Sequence, residues 1–300
     1  MPKLTYRGAA LGALALLIGC SQEDAPPAPE GADAEQMPTT DAGAVDAAPT
    51  DAAPTDAGDD DADDSAAGTY VMPAEMPAYI RDAVNSPRRP APDRARDAMR
   101  RPGHVIWFAG VEPGDTVADL SPAGGYYSRI LGEVVGAEGR VYAIDWDWVV
   151  ENFGDAVKPF ANAVAAGDVP NVDYSVQPND GFTPPEQVDF VFSILTYHDA
   201  HWGEVDVDPA LMNISAFGAL KPGGIYLIVD HRALPESGSE GVDAYHRIDP
   251  ELVLEEVRMA GFEWVGESDA LSNPEDPLNV GVFGDIRGRT DRFIYKFRKP

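Results

Sequence analysis

Cysteine is nearly absent. The 300-residue chain has one, which excludes a disulfide framework and any zinc site built on several thiolates. Positive charge is scarce too: 22 Lys and Arg stand against 51 Asp and Glu, a formal net charge of −29. Such a polyanion repels phosphate backbones, and no basic stretch offsets it, so nucleic acid is not an expected partner. After the N-terminal region no apolar run reaches the roughly 18 residues of a membrane span. What is present is a globular share of hydrophobic residues, 44%. The acid is concentrated: residues 21–69 carry fourteen Asp and Glu and no Lys, Arg or His.

Residues 1–20 read MPKLTYRGAALGALALLIGC. Lys3 and Arg7 precede a short apolar stretch from Gly8 to Gly19, too short to span a membrane as a mature helix. The run Leu17-Ile18-Gly19-Cys20 resembles the lipobox of bacterial lipoproteins. That resemblance implies a signal peptide over 1–19, a lipid on the Cys20 sulfur and acylation of its new amine. Each buried CH₂ then adds about 0.8 kcal/mol of anchoring. An ordinary secretory leader with an incidental Cys is the alternative. Ser21, where an Asp would retain the protein at the inner membrane, implies by resemblance an outer-membrane location facing the periplasm. Residues 20–69 are Ala, Asp, Pro and Thr of low complexity, with the near-repeat DAAPTDAAPTDAG at 46–58. Frequent Pro and self-repelling Asp predict a disordered acidic tether. The run from Asp59 to Asp64 could hold Ca²⁺ weakly, but a solvated spacer is the simpler reading.

From Tyr70 aromatics appear and apolar periodicity begins, and 70–300 is long enough for one well-buried domain. A helix is predicted over Pro92–Arg101. Strands follow at 116–120, 140–145, 172–176, 188–194 and 224–230, then near 262–267 and 292–297. Helices alternate with them at 126–135, 149–165, 209–220 and 250–260. Continuous apolar strands separated by helices predict an α/β fold with a doubly wound, mostly parallel, seven-stranded sheet. Ligands of such sheets lie at the carboxyl ends of the strands.

Three segments fall at three such ends. The first is Val117-Ala118-Asp119-Leu120-Ser121-Pro122-Ala123-Gly124-Gly125-Tyr126-Tyr127, a strand entering a small-residue loop and then a helix. Gly124 and Gly125 let the backbone turn and approach a ligand closely. The second ends in Asp145, about 20 residues on, where an acid can accept from both hydroxyls of a ribose; a helix cap is the structural alternative. The third is Asn179-Asp180-Gly181-Phe182, where Asp180 could accept from an exocyclic amine or simply form a turn. The GxGxxG spacing of nicotinamide dehydrogenases is absent.

Together these residues resemble the class I S-adenosylmethionine-dependent methyltransferases. The likeness covers roughly 95–300 and includes Lys221-Pro222-Gly223-Gly224-Ile225, which looks like the family's helix-to-strand turn. It implies a Rossmann-like fold, S-adenosylmethionine as cofactor and a methyl acceptor as partner. It places Asp119, Ser121, Gly124 and Gly125 around the methionine part, Asp145 at the ribose and Asp180 on the adenine side. Pro122 and Ala123 stand where glycines are common. The details DLSPAGGYYSRIL, YHD, DHR and RGRTDRF are more narrowly similar to a bacterial group of predicted methyltransferases, several with exported leaders.

The acceptor side is expected after the fourth and fifth strands. There His198 could take a proton from an oxygen or nitrogen acceptor, with Asp199 and His231 beside it. Many enzymes of the fold need only proximity, so a base is optional. Arg232 could bind an acidic acceptor. His201 and Trp202 could simply pack a loop. His198, Asp199, His201 and His231 could form a Zn²⁺ or Fe²⁺ site, but their spacing matches no strong signature and no metal is expected. His246 to Pro250 reads as a helix start, with Asp249 as N-cap. The resulting expectation is a methyltransferase acting on a small molecule outside the cytoplasm. A binding or structural module on the same fold is the alternative, because S-adenosylmethionine is not made there.

Cys20→Ala should abolish partitioning into the detergent phase while leaving the circular dichroism of the protein unchanged. Equal fractionation of variant and parent with membranes would refute the lipid anchor.

Overall fold

The computed structural model describes residues 70–178, 181–205 and 207–300. The signal peptide, Cys20, the 20–69 stretch and Asp180 lie outside the described residues. Four short helices lead in: α1 (Ala78–Val84), α2 (Ala91–Ala95), α3 (Asp97–Arg100) and α4 (Pro102–Ala109). The alternating body follows as β1 (Thr116–Leu120), α5 (Tyr126–Val135), β2 (Arg140–Trp146), α6 (Asp147–Ala166), β3 (Val172–Gln177), β4 (Val188–Ile194), α7 (Pro209–Ala219) and β5 (Leu220–His231). It closes with α8 (Val242–Tyr245), α9 (Pro250–Met259), β6 (Glu263–Ser268) and β7 (Arg292–Arg298).

The strands form one sheet in the order β3-β2-β1-β4-β5-β7-β6. All neighbours through β5 are parallel, whereas β7 runs antiparallel to both β5 and β6. This is the doubly wound seven-stranded sheet read from the sequence. The order reverses between β1 and β4, so the switch point lies at the carboxyl ends of those two strands. Alternation along the strands separates two cores. Ala118, Leu120, Tyr226 and Ile228 face one, with α7 and α9 supplying Met212, Ala216, Val253 and Val257. Val117, Phe192, Leu227 and Val229 face the other, with α1, α4 and α5.

Local chemistry explains the boundaries. Asp208 and Asp249 cap α7 and α9 by accepting the N–H of Ala210 (2.9 Å) and Glu251 (3.0 Å), each with Pro at the first helical position. The helix predicted over 92–101 is interrupted at Arg96, which separates α2 from α3. It ends at Arg101, which turns left-handed at φ 41° just before Pro102, where the α region is disfavoured. The Lys221–Gly224 segment, expected as a turn, instead bulges from β5: Leu220 pairs with Val188 and Ile225 with Phe190. Gly223, at φ 81°, donates its N–H to the Lys299 carbonyl at 2.8 Å. Among the described residues no helix is long and apolar enough to cross a membrane.

One ion pair fixes the long connection between β6 and β7. Arg247 and Asp276 pair at 2.9 and 3.1 Å with both side chains fully buried. Arg247 also donates to the Val280 and Arg232 carbonyls, and Asp276 accepts the Asp291 N–H. Asp276→Ala strands a buried guanidinium, so chemical denaturation should show a loss of about 3–5 kcal/mol. A loss under about 1 kcal/mol would show that the pair does not hold this segment.

Candidate functional site

The strand ends carry strain. Ser121 (φ 49°), Ala123 (φ 46°) and Gly125 (φ 77°) are left-handed in the loop between β1 and α5. The glycine-like positions therefore fall on every second residue, on Ser121 and Ala123 rather than on Gly124 or Pro122. Each non-glycine residue held so costs about 1–3 kcal/mol. The turns aim amides at β2: Ser121 N–H donates to the Ile144 carbonyl (2.8 Å) and Ala123 N–H to Asp145 Oδ1 (3.0 Å). Gly125 is needed twice over, for its φ and because a Cβ there would fall on the Phe160 ring. A Cβ on Gly124 would meet nothing within 4 Å.

Behind this loop sit two buried carboxylates. Asp119 accepts from Ser128 Oγ at 2.5 Å, tying β1 to the first turn of α5; burial pushes its carboxyl up to about 7, partly offset by that bond. Asp145 is fully buried, and burial pushes it up to about 6. The Tyr174 hydroxyl lies close enough to favour the charged carboxylate, but no well-aligned hydrogen bond reaches Oδ2. A buried carboxylate oxygen partnered so weakly leaves room for a ligand hydroxyl.

In front of the loop is a cavity of about 90 Å³. Ser121, Gly124, His198, Asp199 and His231 line it, so five of the sequence-derived site residues converge; Asp119, Gly125 and Asp145 do not line it. His198 opens a 3₁₀ turn (His198–His201) after β4. Asp230, fully buried at the end of β5, accepts its backbone N–H (2.9 Å) and its ring Nδ1–H (2.7 Å), and also the His231 N–H (2.7 Å). On its other side His198 Nε2 lies 3.2 Å from Asp199 Oδ1. His231 Nδ1 is engaged by Thr290 Oγ1 at 2.9 Å, and burial holds its ring well below the usual imidazole range. His201 points away to Glu256 (3.0 Å), a packing role. Arg232 pairs with Asp291 at 3.1 Å and does not line the cavity.

Several lining residues escape sequence reasoning. Arg96 and Arg100 bring positive charge from the α2–α3 region. His246 reaches the cavity from a left-handed position at φ 51°, and burial pushes it down to about 4. Leu195 lines it too, at φ 59°. Of eight left-handed non-glycine residues among those described, four line this one cavity (Ser121, Ala123, Leu195, His246), the clustering expected of a functional site. A chain of rings runs along one side of the cavity: Trp148 against Trp202 (5.3 Å), Trp202 against His246 (5.1 Å), His246 against Phe283 (5.1 Å), the last three lining it.

No family model matches the chain. It is 28% identical over 127 residues to a ubiquinone/menaquinone biosynthesis C-methyltransferase of Hydrogenovibrio crunogenus, 42% of this chain and 46% of that protein. The chain thus matches less than half the length of this relative. Among solved structures, a SAM-dependent methyltransferase from Aquifex aeolicus is similar at 20% identity and TM-score 0.48, over 68% of this chain and 98% of that one. Aeropyrum pernix fibrillarin with bound S-adenosyl-L-methionine is similar at 14% identity and TM-score 0.41, over 65% and 73%.

Asp119 generates a pH prediction. Its carboxyl rises from about 4 unfolded to about 7 folded, so the native state binds the extra proton and this contribution is lost as pH climbs through that window. Relative to Asp119→Asn, the parent should lose up to about 1.4 kcal/mol per pH unit between pH 4 and 7, read by denaturation at each pH. A constant difference across the window would show that Asp119 is ionised throughout.

Proposed function

We propose that this chain binds S-adenosylmethionine at the carboxyl ends of β1 and β2 and transfers its methyl group to a small acceptor in the adjoining cavity. The observation that carries the reading is the buried carboxylate of Asp145, whose Oδ2 only the Tyr174 hydroxyl approaches, beside the strained loop at Ser121–Gly125. The residues fit the ligand: Asp145 offers an acceptor with spare capacity for ribose hydroxyls, and Gly124 offers bare wall. Asp119 fixes the loop through Ser128. Asp180 is assigned to the adenine side by the resemblance alone. The similarity to a C-methyltransferase over part of the chain supports the same reaction class.

The bound sulfonium supplies an electrophilic methyl group whose bonding pair returns to sulfur. The chain's part is to hold the acceptor in line, and the polar wall that meets the acceptor is His198 and Asp199, braced by Asp230, with His231 beside it. Ligand sites usually enclose about 300–1,000 Å³, so this cavity widens to admit a nucleoside. The lipobox-like run supports a lipid anchor on Cys20 in the cell envelope, with the domain facing the periplasm. The acidic 21–69 stretch then spaces domain from membrane.

Calorimetry on the purified protein tests the reading. S-adenosylmethionine and S-adenosylhomocysteine should bind and compete. Asp145→Ala should weaken both about tenfold to a hundredfold, the value of a hydrogen bond to a charged group. Gly124→Val should weaken them further by filling the wall. No binding at millimolar ligand to folded protein would sink the enzyme reading and favour a binding module on this fold.

A further inference from the structure

We infer that His198, Asp199 and His246 hold a divalent transition-metal ion whose open coordination positions face the cavity. One ligand atom from each residue lies within 4.8 Å of the others. His198 Nε2 and Asp199 Oδ1 stand 3.2 Å apart. Two ligands bound at about 2.0–2.1 Å in tetrahedral geometry sit about 3.3 Å apart, so this edge already has coordination spacing. A small side-chain swing brings in His246.

The surroundings support the site independently. Asp230, fully buried, accepts from His198 Nδ1 at 2.7 Å and so fixes the proton on that nitrogen. A cation between Nε2 and the Asp199 oxygen takes the place of the proton that this pair would otherwise share. A carboxylate behind an imidazole, with a metal ion in front, is the usual outer-shell pattern of metal-binding histidines. His246 is nearly buried, its ring nitrogens make no hydrogen bond among the described residues, and its backbone is held left-handed to bring it here. The donor set differs from the one the sequence suggests: His201 is engaged by Glu256 and His231 by Thr290. Spacing gave no metal signature because His246 lies 47 positions beyond Asp199 in the chain and reaches the cavity from the turn after α8.

Two imidazoles and one carboxylate suit Zn²⁺ or Fe²⁺ rather than Mg²⁺ or Ca²⁺. Three protein ligands leave at least one position for an outside donor. The role of the ion, unlike its site, rests on the methyl-transfer reading. An acceptor hydroxyl bound there loses its proton to solvent more readily, its oxygen forms the bond to the methyl carbon, and the carbon–sulfur pair leaves on sulfur. The acceptor class is therefore an oxygen-donor small molecule.

The test uses the full chain, stripped with a chelator and titrated with Co²⁺. One equivalent should give the intense visible bands of a low-coordinate site, and excess Mg²⁺ should not displace it. His246→Gln and Asp199→Asn should each weaken this binding more than tenfold, and Asp230→Asn by about 10–100-fold. On the parent protein alone, Co²⁺ should shift the ring protons of two histidines, so the proposal does not hang on a variant folding. Aquo-type spectra throughout, or binding equal in parent and both ligand variants, would overturn it; the second result would place the ion on the acidic 21–69 stretch. Calorimetry with S-adenosylmethionine on the metal-free protein keeps the two ideas apart. Metal binding without S-adenosylmethionine binding upholds the site and removes its role, and the converse removes the site alone.

Discussion

Asp230 is the constraint on which the site depends. Its carboxylate is fully buried and takes three hydrogen bonds, two from His198 and one from the His231 amide. Those bonds tie the turn after β4 to the end of β5. Without that tie the His198 ring loses its fixed position, while the Leu195 turn keeps its own bond, its N–H to the Val229 carbonyl at 2.8 Å. Because β5 is central in the sheet, flanked by β4 and β7, the carboxylate is as rigid as the core behind it. A buried charge satisfied by three donors is costly to leave unpaired, so the arrangement tolerates few alternatives.

Strain and clamping divide the work around this cavity. The Ser121–Gly125 loop is held in left-handed turns by β2, through the Ile144 carbonyl and Asp145. The opposite wall carries Val282 and Phe283 on the connection between β6 and β7. That connection is held at its base by the Arg247–Asp276 pair, which is completely withdrawn from water. One wall is fixed by strained backbone and the other by a desolvated ion pair.

The fold was largely legible because each central strand is a continuous apolar run bounded by turn residues. Thr116–Leu120, Tyr126–Val135 and Val188–Ile194 have the expected limits. Element ends failed where a neighbour decided them. Leu220 joins β5 early because Val188 pairs with it across a bulge, and the helix over 92–101 is interrupted at Arg96. The site was legible where its residues sit at strand ends, as with Ser121, Gly124, His198, Asp199 and His231. His246, Arg96 and Arg100 were not, because they reach the cavity from elements whose placement depends on tertiary packing. Asp145 was picked out by its position at the strand tip, but its bond from the left-handed Ala123 amide is one that no local pattern announces.

The antiparallel β7 has a consequence for how the domain assembles. It is the last strand in the sequence yet sits between β5 and β6. β6 pairs with β7 alone, so a nascent chain that has emerged as far as Ser268 has no register for that strand. The β3-β2-β1-β4-β5 half can form as it appears, because each new strand pairs with one already made. Completion waits for Arg292–Arg298 to thread between two partners, one of them some sixty residues upstream. Until then β5 presents an open apolar edge, the kind of surface that chaperones cover and that aggregation exploits.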